Sequence, residues 1–236
     1  MLRLLGGIAI AFALAACGQT SIQGISSMLT PGLARPEAVV VSDFDFSPDV
    51  VLLDRGFVAQ LQRRMGKAPP EKIREELAAR VSREIVSSMV ATLREAGLPA
   101  RAGGDETLIA DQSALVVTGK VRSIDQGNRT QRNVVGLGVG KSEVAADVVV
   151  AHLSPSGKKE VLTFAAEAES GVRPGAAVTA PVTAARGVAA VAVAAGSGAA
   201  SEKLSADVEA HARRLGQTAA RRIIAYATEQ GWLAKQ

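Results

Sequence analysis

The sequence predicts an α+β domain in which a mixed or antiparallel sheet packs against two long helices. Three observations lead to this class: an alternating strand at 38–46, an amphipathic helix that begins at Pro69 and Pro70, and Val-rich strands that precede a second amphipathic helix at 201–231,. A sheet with an apolar face and helices with an apolar stripe bury those surfaces against each other. The 236 residues suit one domain,.

Composition restricts the core and the partners. Apolar residues make up 47% of the chain and aromatic residues 3%, so the core is built mainly from Ala, Val, Leu and Ile,. A net charge of only +4, with 21% charged residues, argues against disorder and against a nucleic-acid partner,. One Cys and two His exclude an intramolecular disulfide and a multi-Cys zinc site,. We expect no metal and no cofactor.

The N-terminal residues are typical of an export signal. Arg3 is followed by an uncharged run from Leu4 to Ala16 that is rich in Leu, Ile and Ala,. A helix that spans a bilayer takes roughly 20 residues, and this run is shorter. We therefore interpret residues 1–16 as a signal peptide and not as a permanent transmembrane helix.

The end of this run carries the one cysteine of the chain. Residues Leu14, Ala15, Ala16 and Cys17 resemble the bacterial lipobox at every position. The resemblance implies signal-peptidase cleavage between Ala16 and Cys17 and lipidation of Cys17 as the mature N-terminus. Several acyl chains hold a protein on a membrane durably, whereas one chain is a marginal anchor. Gly18, in place of Asp, implies sorting to the outer membrane. The alternative is an ordinary leader with a chance cysteine.

The following residues predict a linker and then one domain. Residues 18–36 are rich in Gly, Ser, Thr, Gln and Pro without a sustained period, which indicates a tether,. We divide the mature chain into a lipid anchor with a flexible tether at 17–36 and a single periplasmic α+β domain at 37–233. An insert at about 172–200 is almost all Ala, Gly and Val,. Its uninterrupted apolar part is too short to span a bilayer, so we expect a packed contact element.

The first strand is predicted from alternation over residues 38–46,. Its apolar face carries Val40, Phe44 and Phe46. Asp43 and Asp45 share the opposite face and could ligate a divalent cation. Such sites gather six or more oxygen ligands, so we interpret the two aspartates as a solvated strand face.

The clearest element is a helix that begins at Pro69 and Pro70. Its apolar residues recur at intervals of four, which is close to the helical period. They are Ile73, Leu77, Val81, Ile85, Met89 and Leu93. Gly97 and Pro99 are expected to end the helix, because Gly adopts the left-handed conformation and Pro cannot continue a helix.

Three further strands and a second helix complete the prediction. The strands fall at 114–124, 143–153 and 159–168, and a hairpin loop at 154–158 joins the last two,. The C-terminal helix at 201–231 has an apolar stripe on one face. The stripe consists of Leu204, Val208, Ala212, Leu215, Ala219, Ile223 and Tyr226. The arginines of this helix lie mostly outside the stripe, on a solvated face.

A glycine-rich run precedes the second of these strands. Gly136, Gly138 and Gly140 lead into Gly-Lys-Ser, which ends a phosphate-binding P-loop. The first glycine of that motif would have to stand at Val135, and a strand follows where the motif needs a helix. We interpret the three glycines as a structural motif.

No catalytic constellation is recognisable in the sequence. His152 and His211 have no His or Cys partner nearby in sequence, and no Gly-x-Ser-x-Gly motif occurs,. We predict that the protein is not an enzyme. A hydrolase with an unrecognised site is the alternative.

The glycine run also carries a family resemblance. Together with the lipobox, the first strand and the hairpin, the Arg-x-x-x-Gly-x-Gly-x-Gly pattern that starts at Arg132 resembles bacterial lipoproteins grouped as domain of unknown function 4410. The resemblance covers about residues 35–231 and brings no catalytic residues. More distantly, the order of strand, long helix, strands and C-terminal helix resembles the periplasmic domains of curli-type secretion lipoproteins.

These observations predict a lipoprotein anchored in the outer membrane and facing the periplasm, with no assignable biochemical activity. We expect a binding or envelope-assembly module. Its expected partners are the membrane, through the lipid on Cys17, and a protein of the cell envelope or a second copy of this chain. A homo-oligomeric subunit of a secretion or envelope complex is the alternative among non-enzymes.

Overall fold

The computed structural model describes residues 19–56, 60–61, 64, 69–104, 113–128, 141–155, 157–170 and 199–234, with side chains of the last segment from residue 207 onwards. In this part of the chain, a seven-stranded mixed sheet packs against two long helices, which confirms the predicted α+β class. The strands are β1 (Gln19–Ser27), β2 (Ala38–Val41), β3 (Val51–Leu52), β4 (Ala100–Ala102), β5 (Ala114–Asp125), β6 (Glu143–Ser154) and β7 (Gly157–Glu169), and the helices are α1 (Pro70–Glu95) and α2 (Ala199–Glu229).

The sheet explains how the two helices are oriented. The strand order within the described residues is β1-β7-β6-β5-β2-β4, and β3 pairs with β5 off this path. β5, β6 and β7 are successively antiparallel, whereas β2 is parallel to β5, so β2, β5 and β7 share one direction. α1 follows the β2 region and α2 follows β7, and each helix returns across the sheet. The helices therefore run parallel to each other.

Two ion pairs between the helices agree with this orientation. Arg80 Nη1 lies 3.9 Å from Glu209 Oε1. Four residues later in each helix, Arg213 Nε lies 2.6 Å from Glu84 Oε1. Exposed pairs of this kind contribute about 1 kcal/mol or less, so they mark the register of the helices more than they hold them together.

α1 forms where the sequence predicts it. Pro70 occupies the first helical position, where its missing N–H removes no intrahelical hydrogen bond,. The predicted stripe is buried from Leu77 to Leu93 and forms one core with α2 and the sheet. Gly97, with φ +86°, lies just beyond the helix end, as predicted,.

The predicted first strand is too long. β2 ends at Val41, and beyond it Asp45 makes a single bridge to Lys120. Phe44 is nevertheless buried, and its ring lies over Gly119, where an added Cβ would come within 2.2 Å of it. The alternation therefore predicts the burial of Phe44 correctly without a continuous strand ladder.

Ser82 of α1 supplies the hydrogen-bond partner for both backbone groups of Phe44. The Ser82 hydroxyl accepts a hydrogen bond from the N–H of Phe44 at 2.9 Å and donates one to its carbonyl at 3.0 Å. We expect Ser82→Ala to lower the free energy of unfolding by about 2 kcal/mol, because a buried donor and a buried acceptor lose their partner. Urea unfolding measures the change, with the exposed Ser87→Ala as control. Equal stability of the two variants would contradict this role.

Residues 19–27 were predicted to belong to the flexible tether, and the structure corrects this. They form β1, which pairs antiparallel with β7 from Gln19 opposite Glu169 to Ser27 opposite Leu162. Almost all β1 side chains are exposed, so the strand lacks the alternation of a half-buried element,. Its backbone pairs with β7 even though its side chains bury little.

The remaining predicted elements are close to their expected bounds. β6 and β7 pair as far as Ser154 opposite Gly157, so the hairpin turn is tighter than predicted. The insert lies outside the described residues as far as 198, and α2 begins at Ala199. Within the described residues, neither helix has the length and apolar character needed to cross a membrane.

Candidate functional site

The predicted lipidation site and glycine motif lie outside the described residues. Ala16 and Cys17 precede residue 19, and Gly136, Gly138 and Gly140 fall between residues 128 and 141. The roles assigned to them stay predictions.

The lysine that follows the glycines has a structural partner. Lys141 Nζ lies 2.9 and 3.0 Å from the two carboxylate oxygens of Glu169. β6 begins at Glu143, so a strand stands where a P-loop needs a helix N-terminus,. This is the element that the sequence predicts there.

The other candidate ligands do not form a metal centre in the part of the chain that is described. Asp43 and Asp45 are exposed and line an open cleft of about 350 Å³ with Arg83. His211 is buried on α2 and bonds the backbone carbonyl of Asp207. Among the described residues, no three His, Cys, Asp or Glu side chains are placed to hold a metal ion.

His152 belongs to a cluster that the sequence did not reveal. Its ring stacks on Trp232 with centroids 5.9 Å apart, and Trp232 meets Tyr226 edge-on at 5.8 Å. All three side chains are buried. We call these residues the aromatic clasp. Trp232 and Tyr226 are the single Trp and the single Tyr of the whole chain.

The aromatic clasp holds the segment that follows β1. The Tyr226 hydroxyl donates to the carbonyl of Met28 at 3.2 Å, and Trp232 Nε1 donates to the carbonyl of Leu33 at 3.2 Å. His152 Nε2 lies 3.1 Å from the carbonyl oxygen of Ala34 and 3.0 Å from the hydroxyl oxygen of Ser113. The Tyr226 hydroxyl is protonated at neutral pH, and burial raises its pKa further above the ordinary value of 10,. The clasp therefore ties residues 28–34 to β6 through His152, and to the C-terminal end of α2 and the residues just after it through Tyr226 and Trp232.

The side chains of this segment contrast with its fixed backbone. Met28 is 52% exposed and Leu29 is 54% exposed, although the N–H of Met28 also bonds the carbonyl of Val161 at 2.9 Å. Ile25, 49% exposed, lies in a bulge of β1 that Gly24 permits with φ +58°,. Among the described residues, these three belong to the few large apolar side chains that face solvent. We call them the apolar rim.

Carboxylates collect at the opposite end of the strands. Asp125 pairs with Glu143, and Glu143 pairs with Glu169, so the three residues lie in one row across β5, β6 and β7. We call them the acidic row. Partial burial raises the pKa of Glu143, and the charges of Glu167, Asp125 and Glu169 raise it further, against a lowering by Arg122. This end of the sheet is therefore electrostatically negative at Glu143.

The raised pKa has a measurable consequence for stability. The folded state holds the Glu143 proton more tightly than the unfolded chain, so stability falls as pH rises from the ordinary value of 4.5 through the raised one,. We expect Glu143→Gln to be more stable than the wild type at pH 7 and equal to it below pH ~4. Thermal melting at both pH values measures this, with the exposed Glu160→Gln as control. A lower melting temperature of Glu143→Gln at pH 7 would overturn it.

The fold and the clasp define an α+β domain whose N-terminal strand is fastened to its C-terminal helix. The chain belongs to the family described as "Domain of unknown function (DUF4410)", which matches residues 39–187, from β2 through β7. It is also similar to the PelC dodecamer from Paraburkholderia phytofirmans, with 15% identity over 85% of this chain and 97% of that chain and a TM-score of 0.35. A PelC variant dodecamer from the same organism has 15% identity over 85% of this chain and 96% of that chain, with a TM-score of 0.33. No curated protein matches the sequence.

Proposed function

We propose that the chain is an outer-membrane lipoprotein, held at the periplasmic face by acylated Cys17, whose α+β domain is a non-enzymatic binding or envelope-assembly module. One observation carries the proposal. The lipobox at residues 14–17 is separated by a single residue, Gly18, from a strand that belongs to the sheet. An anchor placed there acts on the folded domain directly.

The contacts of the N-terminal segment support this reading. β1 hydrogen-bonds along β7, and the aromatic clasp fixes residues 28–34 behind it. Two residues of extended chain span about 7 Å, so a lipid on Cys17 would hold the sheet close to the membrane surface. A domain held at a set distance from a membrane suits a receptor or an assembly factor better than a freely diffusing catalyst.

A homo-oligomeric envelope subunit is the second candidate. β1 is the terminal strand of the sheet among the described residues, and none of its nine residues is charged or Pro. Charges and prolines are common means of preventing edge-to-edge pairing, and β1 carries only a bulge,. Crosslinking in intact cells followed by mass determination distinguishes an oligomer from a monomer with another partner.

The decisive test of the proposal is Cys17→Ser. We expect this variant to escape lipidation, and either to remain unprocessed or to leave the membrane fraction. The matched control is Ala16→Gly, which keeps a small residue before the cysteine and should be processed and anchored like the wild type. Mass spectrometry of the mature N-terminus and membrane fractionation measure both. An unmodified N-terminus at another residue in the wild-type protein would overturn the proposal.

A further inference from the structure

We propose that the domain lies edge-on against the lipid surface, with β1 running along it and the apolar rim (Ile25, Met28 and Leu29) in contact with the bilayer. This inference rests on the proposed function, because it takes Cys17 as the anchor. It adds a second, non-covalent membrane contact to the lipid.

The position of Cys17 leaves two main orientations. The anchor precedes Gln19 by two residues, so the start of β1 must stay near the membrane,. β1 has nine residues and a length of roughly 26 Å,. If the strand runs away from the membrane, the acidic row faces the lipid and the apolar rim is distant. If it runs along the membrane, the sheet edge and the apolar rim reach the surface.

The apolar rim favours the edge-on orientation. Its side chains are about half exposed, while hydrogen bonds from Tyr226 and to Val161 fix the backbone at Met28. The exposure is therefore part of the folded structure and not the result of a loose tail. Lys159 Nζ bonds the hydroxyl of Thr30 at 3.1 Å, which places a cation beside Leu29. Apolar side chains with a neighbouring cation suit the interface of an anionic bilayer.

The charges at the other end of β1 oppose the end-on orientation. Gln19 pairs with Glu169, which continues the acidic row to the first residue of the strand. Lys141 pairs with Glu169, and Arg55 lies 3.7 Å from Asp125. Glu143, between them, has no ion pair within the described residues. Pressing this row against the headgroups would remove water from the Glu143 carboxylate and from the ion pairs of Glu169 and Asp125, and that loss of hydration opposes the end-on orientation,.

Two leucines report which orientation occurs. Leu29 is 54% exposed in the apolar rim, and Leu52 is 45% exposed on β3, where it pairs with Asp125 at the end of the acidic row. Once Cys17 is acylated, Leu29→Cys and Leu52→Cys each carry one free thiol. Both side chains are partly exposed, so both variants should fold, and thermal melting checks this before labelling.

The experiment uses the acylated protein labelled in detergent with an environment-sensitive maleimide and reconstituted into phosphatidylethanolamine and phosphatidylglycerol vesicles. Nitroxide on the lipid acyl chains quenches a probe that contacts the bilayer. We expect loss of fluorescence and a blue shift at residue 29, and neither change at residue 52. Met28→Cys repeats the measurement at a second position of the rim.

Every other result overturns the inference. Quenching at residue 52 alone indicates the end-on orientation. No quenching at either residue, with Cys17 shown to be acylated, indicates a domain that stands off the membrane, and the proposed function survives. Crosslinking of the residue 29 thiols between two copies shows that a second copy covers the rim. An unacylated Cys17 with no vesicle binding refutes the proposed function as well.

Discussion

Gly216→Val is expected to lower the free energy of unfolding by about 3 kcal/mol, because α1 and α2 meet too closely at this residue for a side chain. A Cβ at Gly216 would lie 2.2 Å from the Ser88 hydroxyl oxygen and 2.5 Å from the Ile85 carbonyl oxygen. Real side chains do not approach this closely, so the helices must separate or the core must shift. Val has at least as high a helix propensity as Gly, and the loss therefore reports the clash alone.

Urea unfolding and thermal melting measure the loss at Gly216. The matched control is Gln217→Val, one residue further along α2, which introduces the same side chain at a half-buried position. Combining Gly216→Val with Ser88→Ala should restore only part of the stability, because the Ile85 carbonyl belongs to the backbone and remains in place. A wild-type melting temperature for Gly216→Val would show that the helices do not meet as described.

The elements of this fold could be predicted from sequence where a periodic apolar pattern coincides with burial. α1 is the clearest case, since its stripe from Leu77 to Leu93 is buried and Pro70 and Gly97 mark its ends. The parallel arrangement of α1 and α2 could not be read from either helix. It depends on the directions of β2 and β7, which are set by pairing between distant residues.

β1 shows why the tether prediction was wrong. The strand is held mainly by backbone hydrogen bonds to β7, and its Ser, Gln, Thr and Gly side chains give no alternating pattern. Composition describes side chains, whereas an edge strand with exposed side chains is stabilised mainly through its backbone. The uncharged stretch from Gly18 to Ala34 was a signal that a pairing edge was possible,.

The contacts of the aromatic clasp also could not be predicted from the sequence, although Trp232 and Tyr226 are the single Trp and the single Tyr of the chain. Tyr226 was placed correctly on the buried stripe of α2, whereas the sequence showed of His152 only that no His or Cys lies near it in the chain. Their contact partners are the carbonyls of Met28 and Ala34, more than 100 residues away in the chain. In a chain with 3% aromatic residues, the single Trp was the residue most worth assigning to a long-range contact,.

Trp232→Ala is expected to lower the free energy of unfolding by about 3 to 5 kcal/mol. The substitution removes a large buried side chain, its stack on His152 and its contact with Tyr226,. It also leaves the Leu33 carbonyl without its 3.2 Å donor. The loss should be uneven along the chain. In Trp232→Ala, the amide protons of residues 28–34 should exchange faster than they do in the wild type. This increase should be larger than the increase at the centre of α1, because the clasp holds residues 28–34.

Thermal melting measures the total loss for Trp232→Ala, and hydrogen exchange locates it. Trp232→Phe is the matched control, because Phe keeps most of the stacking area and lacks the indole N–H that donates to Leu33. It should lose about 1 kcal/mol of stability and keep slow exchange at Met28, whose N–H bonds Val161,. If Trp232→Ala lowers the melting temperature without faster exchange at 28–34, the Trp is a core residue only. Residues 28–34 would then be held by the pairing of β1, by the hydrogen bond from Tyr226 and by the contact of His152 with Ala34.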